Sequence, residues 1–284
     1  MVAQVDADAV RALAAAVEEA DGVAAFSEQT LLNLAGAPDR EVHHLPVLDD
    51  GGALLGYAQL DGTSAELAVH PGHRRHGLGA RLLDEVLALA PAAQVWAHGP
   101  HPGAAPLATG RGLAVVRELW LMRSPPPTAA VAPTIPSDVV VTTFDADRDA
   151  EDWLAVNARA FASHPEQGRI GRADLDARLA EPWFDARGFW VARSAVDGAL
   201  LGSMWTKVSE RTGEIYVLGI DPAAQGRGLG GLLTAVAMQR FAELGQHEVD
   251  EIELYVEGDN APAIRTYQKA GFHRRRADVQ YART

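Results

Sequence analysis

Two stretches lying 151 residues apart carry one pattern, and that repetition constrains the fold more than any other feature. His70-Pro71-Gly72-His73-Arg74-Arg75-His76-Gly77-Leu78-Gly79 and Asp221-Pro222-Ala223-Ala224-Gln225-Gly226-Arg227-Gly228-Leu229-Gly230 align without a gap. Each follows an apolar run of strand length and precedes an apolar run of helix length. A second match sets Gly112-Leu113 on Gly271-Phe272 at an offset of 159, so the later copy carries about eight extra residues in between. A chain that repeats itself in this way reads as two copies of one unit, and 284 residues suit two domains of ordinary size.

The segment Ser124–Ser137 divides the copies. Five of its 14 residues are proline and it has neither helical nor strand periodicity, so it reads as a semi-rigid linker. The expected division is residues 1–123, a linker of 124–137, and residues 138–284. In the second part, strands are predicted at 139–144, 189–193, 200–207, 214–220, 251–256 and from 272 onward. Helices are predicted at 149–161, 229–244 and 260–270, the last capped by Asn260. The first part repeats this order more faintly at 53–60, 64–69, 78–90, 94–97 and 113–122. A strand meander followed by alternating helices and strands implies an α/β layered domain, twice.

Composition removes several function classes. The 38 acidic residues against 25 basic ones oppose a main role in neutralising nucleic-acid phosphates. No cysteine is present, which excludes disulfides, thiolate catalysis and cysteine-ligated metals. No apolar run approaches membrane-helix length. The opening Met1–Leu13 has acids where a secretory leader would be basic, so a cytoplasmic protein is expected. The histidines at 43, 44, 70, 73, 76, 98 and 101 do not fall at zinc-ligand spacings, and no metal is expected.

The repeated motif has a physical meaning. Glycines allow close approach of the backbone to a ligand, and a helix start offers unpaired N–H groups and a positive dipole end. Together they form a cradle for pyrophosphate. Neither the dinucleotide-binding Gly-x-Gly-x-x-Gly nor the Gly-Lys-Ser/Thr phosphate loop is matched.

Both halves resemble the GNAT-superfamily N-acetyltransferases, whose Gln/Arg-x-x-Gly-x-Gly/Ala loop holds the pyrophosphate of acetyl-CoA. More narrowly, Ser27-Glu28-Gln29, Phe161–Gly168, Trp205-Thr206-Lys207, Gly213–Pro222 and Tyr255–Asn260 are similar to a tandem-domain branch of that superfamily. That branch acetylates the cysteine amine of cysteinyl-glucosaminyl-inositol, the last step of mycothiol biosynthesis. The resemblance implies two tandem GNAT domains, each a mixed, mostly antiparallel sheet flanked by helices. It implies acetyl-CoA as cosubstrate, and a first domain able to hold acetyl-CoA without turning it over. The cofactor contacts it implies are Leu67, Ala68, Val69, Arg75, His76, Gly77, Leu78, Gly79 and Ala80 in the first half. In the second they are Leu218, Gly219, Ile220, Gln225, Gly226, Arg227, Gly228, Leu229, Gly230 and Gly231, with Asn260, Ala261, Pro262, Ala263, Ile264 and Arg265. For the acceptor it implies Glu28, Glu166, Lys207, Glu214 and Tyr255.

Acyl transfer to an amine needs a base for the ammonium proton and an acid for the departing thiolate. Glu214 is expected as base and Tyr267 as acid. At the motif offsets, Thr63 and Ala108 stand in their places in the first half, and Glu66 is expected to face away. One active site, in the second half, follows. Other amines (a protein N-terminus, a polyamine, an aminoglycoside) and a non-catalytic acetyl-CoA-binding module remain as alternatives. The expected partners are small molecules, without nucleic acid or membrane, and two fused copies suit a monomer.

Overall fold

The computed structural model describes residues 5–36, 41–162 and 165–284, with Pro165 and Glu166 described by their backbone alone. Two compact units emerge, Met1–Leu119 with Arg276–Thr284, and Trp120–Arg275. The boundaries at 123 and 138 drawn from the sequence omit an exchange of end segments. The last nine residues cluster with the first unit, and Trp120–Ser124 cluster with the second. Residues 125–136 hold no regular secondary structure.

In the first unit the order is α1 (Ala7–Asp21), α2 (Glu28–Leu32), β1 (Val42–Leu48), β2 (Leu54–Asp61), β3 (Ser64–Val69), α3 (Leu78–Leu89), β4 (Gln94–Ala97) and α4 (Ala104–Thr109). Strand β5 (Ala114–Ser124) leads across the division. In the second unit come β6 (Val139–Thr143), α5 (Ala146–Ala160), α6 (Pro165–Gly168), α7 (Arg172–Leu179), β7 (Phe189–Ser194), β8 (Leu200–Ser209), β9 (Thr212–Ile220), α8 (Leu229–Leu244), β10 (Glu251–Glu257) and α9 (Ala261–Lys269). Strand β11 (His273–Ala282) closes the chain and supplies Arg276–Ala282 to the first unit.

Strands of the first unit lie in the order β1-β2-β3-β4-β11, those of the second in the order β5-β10-β9-β8-β7-β6. Pairing is antiparallel in β1/β2, β2/β3, β4/β11, β6/β7, β7/β8 and β8/β9, and parallel in β3/β4 and β9/β10. Each unit is therefore a mixed, mostly antiparallel α/β layer.

Both faces of each sheet are covered, because alternate strand residues are apolar on each side. In the second unit Leu229, Leu233, Ala237 and Phe241 of α8 pack on Ile215, Ile252, Leu254 and Phe272. On the opposite face Trp153 and Val156 of α5 pack with Phe189, Val191, Trp205 and Val217. In the first unit Leu82, Leu83 and Val86 of α3 meet Val47, Ala58, Ala65, Val95 and Tyr281. Val10, Leu13 and Val17 of α1 meet Phe26, Tyr57 and Ala68 on the other side.

A buried ion network ties the chain's end into the first unit. His98, just past β4, places Nε2 3.3 Å from Glu66 Oε1 and Nδ1 3.2 Å from Asp278 Oδ2. The Gly99 amide donates to Asp278 Oδ1 at 2.8 Å, and the Ser27 amide to Glu66 Oε2 at 2.8 Å. Burial alone would discharge His98, but the carboxylates of Glu66 and Asp278 hold its proton and raise its pKa to about 10. Burial opposes the charges on Glu66 and Asp278, but His98 together with the bonds from Ser27 and Gly99 outweighs it, so both carboxyls titrate below their ordinary range.

The sign of the resulting pH dependence follows from linkage. A raised histidine pKa contributes stability that is complete below the unfolded value of about 6.5 and is lost as pH climbs toward about 10. The two carboxylates contribute stability that is lost as pH falls through their depressed values. Protection of the Gly99 amide against hydrogen exchange should accordingly decline between pH 7 and 10 in the natural chain. In His98→Gln it should be lower at neutral pH and nearly flat over that interval; a parallel decline in both proteins would exclude the network as its source.

Candidate active site

The two repeated motifs fold alike. In each, a prolyl 3-10 turn (Pro71–His73, Pro222–Ala224) follows a residue that caps it, with His70 Nδ1 accepting from Gly72 N at 3.2 Å and Asp221 Oδ1 from Ala223 N at 2.9 Å. The chain then takes two left-handed residues before the long helix. In the second unit both are glycine, Gly226 at φ 80° and Gly228 at φ 78°. In the first unit they are Arg75 at φ 66° and Gly77 at φ 83°. A side chain in that region costs about 1–2 kcal/mol, yet the loop keeps its path. The first amides of α3 and α8 have no partner within their helices, which makes each helix start a place where an anion can be held. Gly230 has open space around a notional Cβ, whereas at Gly79 the Leu107 side chain would lie 3.6 Å away. Arg74 is committed elsewhere, since its guanidinium grips Asp21 with two 2.7 Å bonds. Arg227 bonds Asp138 at 2.7 Å.

Beside each cradle a parallel ladder stops early. The β9/β10 ladder runs from Thr212/Glu251 to Ile215/Leu254 and ends there, leaving Leu218, Gly219 and Ile220 beyond it. An extra residue marks this point: Trp205 pairs with Val217 and Thr206 with Ile215, so the register skips Tyr216 in a β-bulge. Tyr216 is locked in its position by Arg178 Nε at 2.8 Å from its hydroxyl and by the rings of Trp183 and Trp205, with centroids 5.1 and 5.3 Å away. In the first unit β3 and β4 pair from Ser64/Gln94 to Glu66/Trp96, and Leu67, Ala68 and Val69 lie beyond. No register shift interrupts β2/β3.

Glu214 and Lys207 are directly opposite on β9 and β8. Ile215 and Val208 belong to the α8-side core, so Glu214 and Lys207 stand on the other face, next to the bulge. The Lys207 ammonium lies 4.6 Å from the Trp183 ring centroid and 5.5 Å from that of Tyr216. Tyr255 follows the last β9/β10 rung and is 37% exposed. Tyr267 sits in the last turns of α9, only 6% exposed, edge-on to Phe272 with centroids 6.0 Å apart. Burial raises its pKa far above the ordinary phenol value, so the proton stays on the hydroxyl through the neutral range. Asn260 caps α9 through a 3.1 Å bond from the Ala263 amide, which presents the helix start formed by Ala261, Pro262 and Ala263.

Of the remaining acceptor candidates, Glu28 opens α2 in the first unit, where Ser27 caps the helix and is itself fixed by Glu66. The side chain of Glu166 lies outside the described residues. Among the described residues no group of three or more histidines, aspartates and glutamates could hold a metal ion.

The comparison between halves needs one correction. Thr63 is not a strand position; it lies in the Gly62-Thr63 turn of the β2/β3 hairpin. Counted from the turns, Asp61/Ser64 matches Ser209/Thr212, and Gln59/Glu66 then matches Lys207/Glu214. The first half thus keeps a carboxylate on the corresponding face, contrary to the expectation that Glu66 faces away. The offset of 151 fails here because the second hairpin is longer and contains the bulge. Glu66 is nonetheless occupied by His98 and Ser27, and Gln59 is buried and bonded to Asn33, Tyr57 and the Thr30 carbonyl. The match of Ala108 to Tyr267 holds, because Leu113 N donates to Ala108 O as Phe272 N does to Tyr267 O, at 3.1 and 3.0 Å.

Comparison with known proteins agrees with this geometry. Residues 153–272 match the acetyltransferase (GNAT) family and residues 41–107 an acetyltransferase (GNAT) domain. A mycothiol acetyltransferase of Sanguibacter keddieii is 50% identical, covering 98% of this chain and 93% of that protein. A mycothiol acetyltransferase of Beutenbergia cavernae is 48% identical over 96% and 94%. In fold, the chain is similar to a GCN5-related N-acetyltransferase from Sphaerobacter thermophilus (TM-score 0.70, 24% identity, 98% and 92% covered). It is also similar to a tandem GNAT protein from the clavulanic acid biosynthesis pathway (TM-score 0.74, 21% identity, 97% and 93% covered). Two glycine cradles, two early-ending parallel ladders and relatives matched along nearly the whole chain have one reading: the chain belongs to the GNAT acetyltransferases, in the branch of its mycothiol acetyltransferase relatives.

Proposed function

We propose that this chain transfers the acetyl group of acetyl-CoA to the cysteine amine of cysteinyl-glucosaminyl-inositol, with a single active site in the second unit. The observation that carries the reading is the meeting, around one bulge, of the Gly226/Gly228 cradle, the open edge of β9 and the Lys207/Glu214 pair. The names borne by relatives of about half identity supply the acceptor.

In this mechanism the loop amides of 225–231 and the start of α9 bind the phosphates. The edge of β9 at Leu218, Gly219 and Ile220 pairs with the amide-bearing arm of CoA. Glu214 takes the proton of the α-ammonium, directly or through a water, and the amine lone pair then attacks the thioester carbon. As the C–N bond forms and the C–S bond breaks, Tyr267 gives its proton to the departing thiolate, and the second proton of the acylated nitrogen leaves through water to restore the tyrosine hydroxyl. Lys207, Tyr255 and Glu166 serve the acceptor's hydroxyl and ammonium groups. In the first unit the matching carboxylate is held by His98, so that unit binds acetyl-CoA without turnover.

Incubating the purified protein with acetyl-CoA and each candidate amine tests the acceptor; cysteinyl-glucosaminyl-inositol should react at least about 100-fold faster than a peptide N-terminus, a polyamine or an aminoglycoside. Glu214→Gln should lower kcat/KM by about 100-fold or more, and a loss under twofold would remove Glu214 from the role of base. Tyr267→Phe should slow kcat by roughly ten- to a hundredfold while KM for acetyl-CoA changes by less than about twofold. A large rise in KM would make it a packing residue. Since a Cβ at φ near 80° is strained, Gly228→Val should raise the acetyl-CoA KM by about tenfold, whereas Gly77→Val should leave turnover within about twofold.

A further inference from the structure

Glu214 has a second carboxylate beside it. Glu253 is its direct partner across the parallel β9/β10 ladder, one rung before that ladder ends. Ile252 and Leu254 belong to the α8-side core, so Glu253 stands on the same face as Glu214. Strand order places β5 next to β10, and Met122 of β5 also belongs to the α8-side core, which puts Arg123 on the face of Glu253. A row of four charges results across four adjacent strands: Arg123, Glu253, Glu214, Lys207.

Arg123 is bound to its neighbours closely. Its Nε and Nη2 lie 3.0 and 2.8 Å from Glu253 Oε2, and its Nη1 lies 2.7 Å from Glu251 Oε2. Arg275, 3.8 Å from Glu251, adds positive charge at the far end. Around Glu214, then, β8 contributes Lys207, β10 contributes Glu253 with Tyr255 beyond it, and β9 itself contributes Tyr216, whose hydroxyl meets Arg178 of α7. Two carboxylates on adjacent strands of one face disfavour each other's charge, and a cation bound to one of them relieves the other.

We infer that Arg123 is a positioning residue for acetyl transfer: by binding Glu253 it keeps that carboxylate turned to β5 and compensated, and so leaves Glu214 ionised beside Lys207 as the proton acceptor. The inference rests on Glu214 being the base. It also accounts for a residue that the sequence division assigned to the first half: Arg123 is a member of the second unit and acts on the second unit's chemistry. The first half has no such arrangement, for Trp96 stands where Glu253 does and Glu66 has His98 as its counter-charge.

The test is the pH profile of kcat/KM at saturating acetyl-CoA in the full-length protein. Arg123→Met should move the acid limb up by about one pH unit, because Glu253 then acts uncompensated on its neighbour. Glu253→Gln should move it down by a smaller amount, and the double variant Arg123→Met/Glu253→Gln should return it to within about 0.3 unit of the natural protein. A limb unmoved in Arg123→Met, with rate lost equally at all pH values, would show a merely structural arginine and overturn the inference. So would a double variant that keeps the full shift of the single one. If Arg123→Met fails to fold, Glu253→Gln decides: a downward shift supports the tuning and an unmoved limb refutes it. Glu214→Gln separates the two claims, because activity that survives it with its acid limb in place refutes Glu214 as base, whatever Arg123 does.

Discussion

One extra residue in a strand sets the second unit apart from the first. The register of β8 and β9 skips Tyr216, and beside that bulge the parallel β9/β10 ladder ends at Ile215/Leu254. Backbone groups of a strand that loses its neighbour must find another partner. The edge left at Leu218–Ile220 is therefore both a local defect in the sheet and the place where an extended, amide-rich ligand can complete it. Arg178, Trp183 and Trp205 hold the bulged tyrosine from three sides, which makes the opening a fixed feature of the packed state. The glycine loop follows the end of the same strand, so that loop, the edge beyond the ladder and the strand face carrying Glu214 all belong to one short stretch of chain.

The two halves keep one frame while arranging their charged residues differently. The loop geometry survives even where Arg75 replaces glycine in a left-handed conformation. The hairpin beside it is shorter and has no register shift, and its carboxylate belongs to a buried network. Glu66, His98 and Asp278 form a compensated cluster that also binds the chain's last strand into the first unit. In the second half the carboxylate at the corresponding position stays only half-buried, opposite a lysine held over two aromatic rings. The same ladder position is thus compensated by a buried histidine in one copy and faces a lysine in the other.

Much of this was legible in the sequence. Offsets of 151 and 159 located both cradles and matched Ala108 to Tyr267, since loops and caps built on glycine and proline keep their spacing. Strands β3 and β4 fell on their predicted residues because alternation and turn residues mark strands well. Less was readable where those markers were absent. Helix α7 has a charged, weakly apolar sequence, β1 is interrupted by Pro46, and α1 hides its stripe of Val10, Leu13 and Val17 among alanines. The bulge left no signal, so a constant offset carried Glu214 onto a turn residue instead of onto Glu66.

What the sequence alone determined is the repetition, the α/β class and the two glycine-bearing loops ahead of the long helices, because each follows from residue types at fixed local spacing. Which carboxylate is compensated, which strand ends its ladder early and to which unit Arg123 and the last nine residues belong were decided only in three dimensions. Those outcomes depend on strands far apart in the chain meeting in one register, and register is a property of the packed sheet.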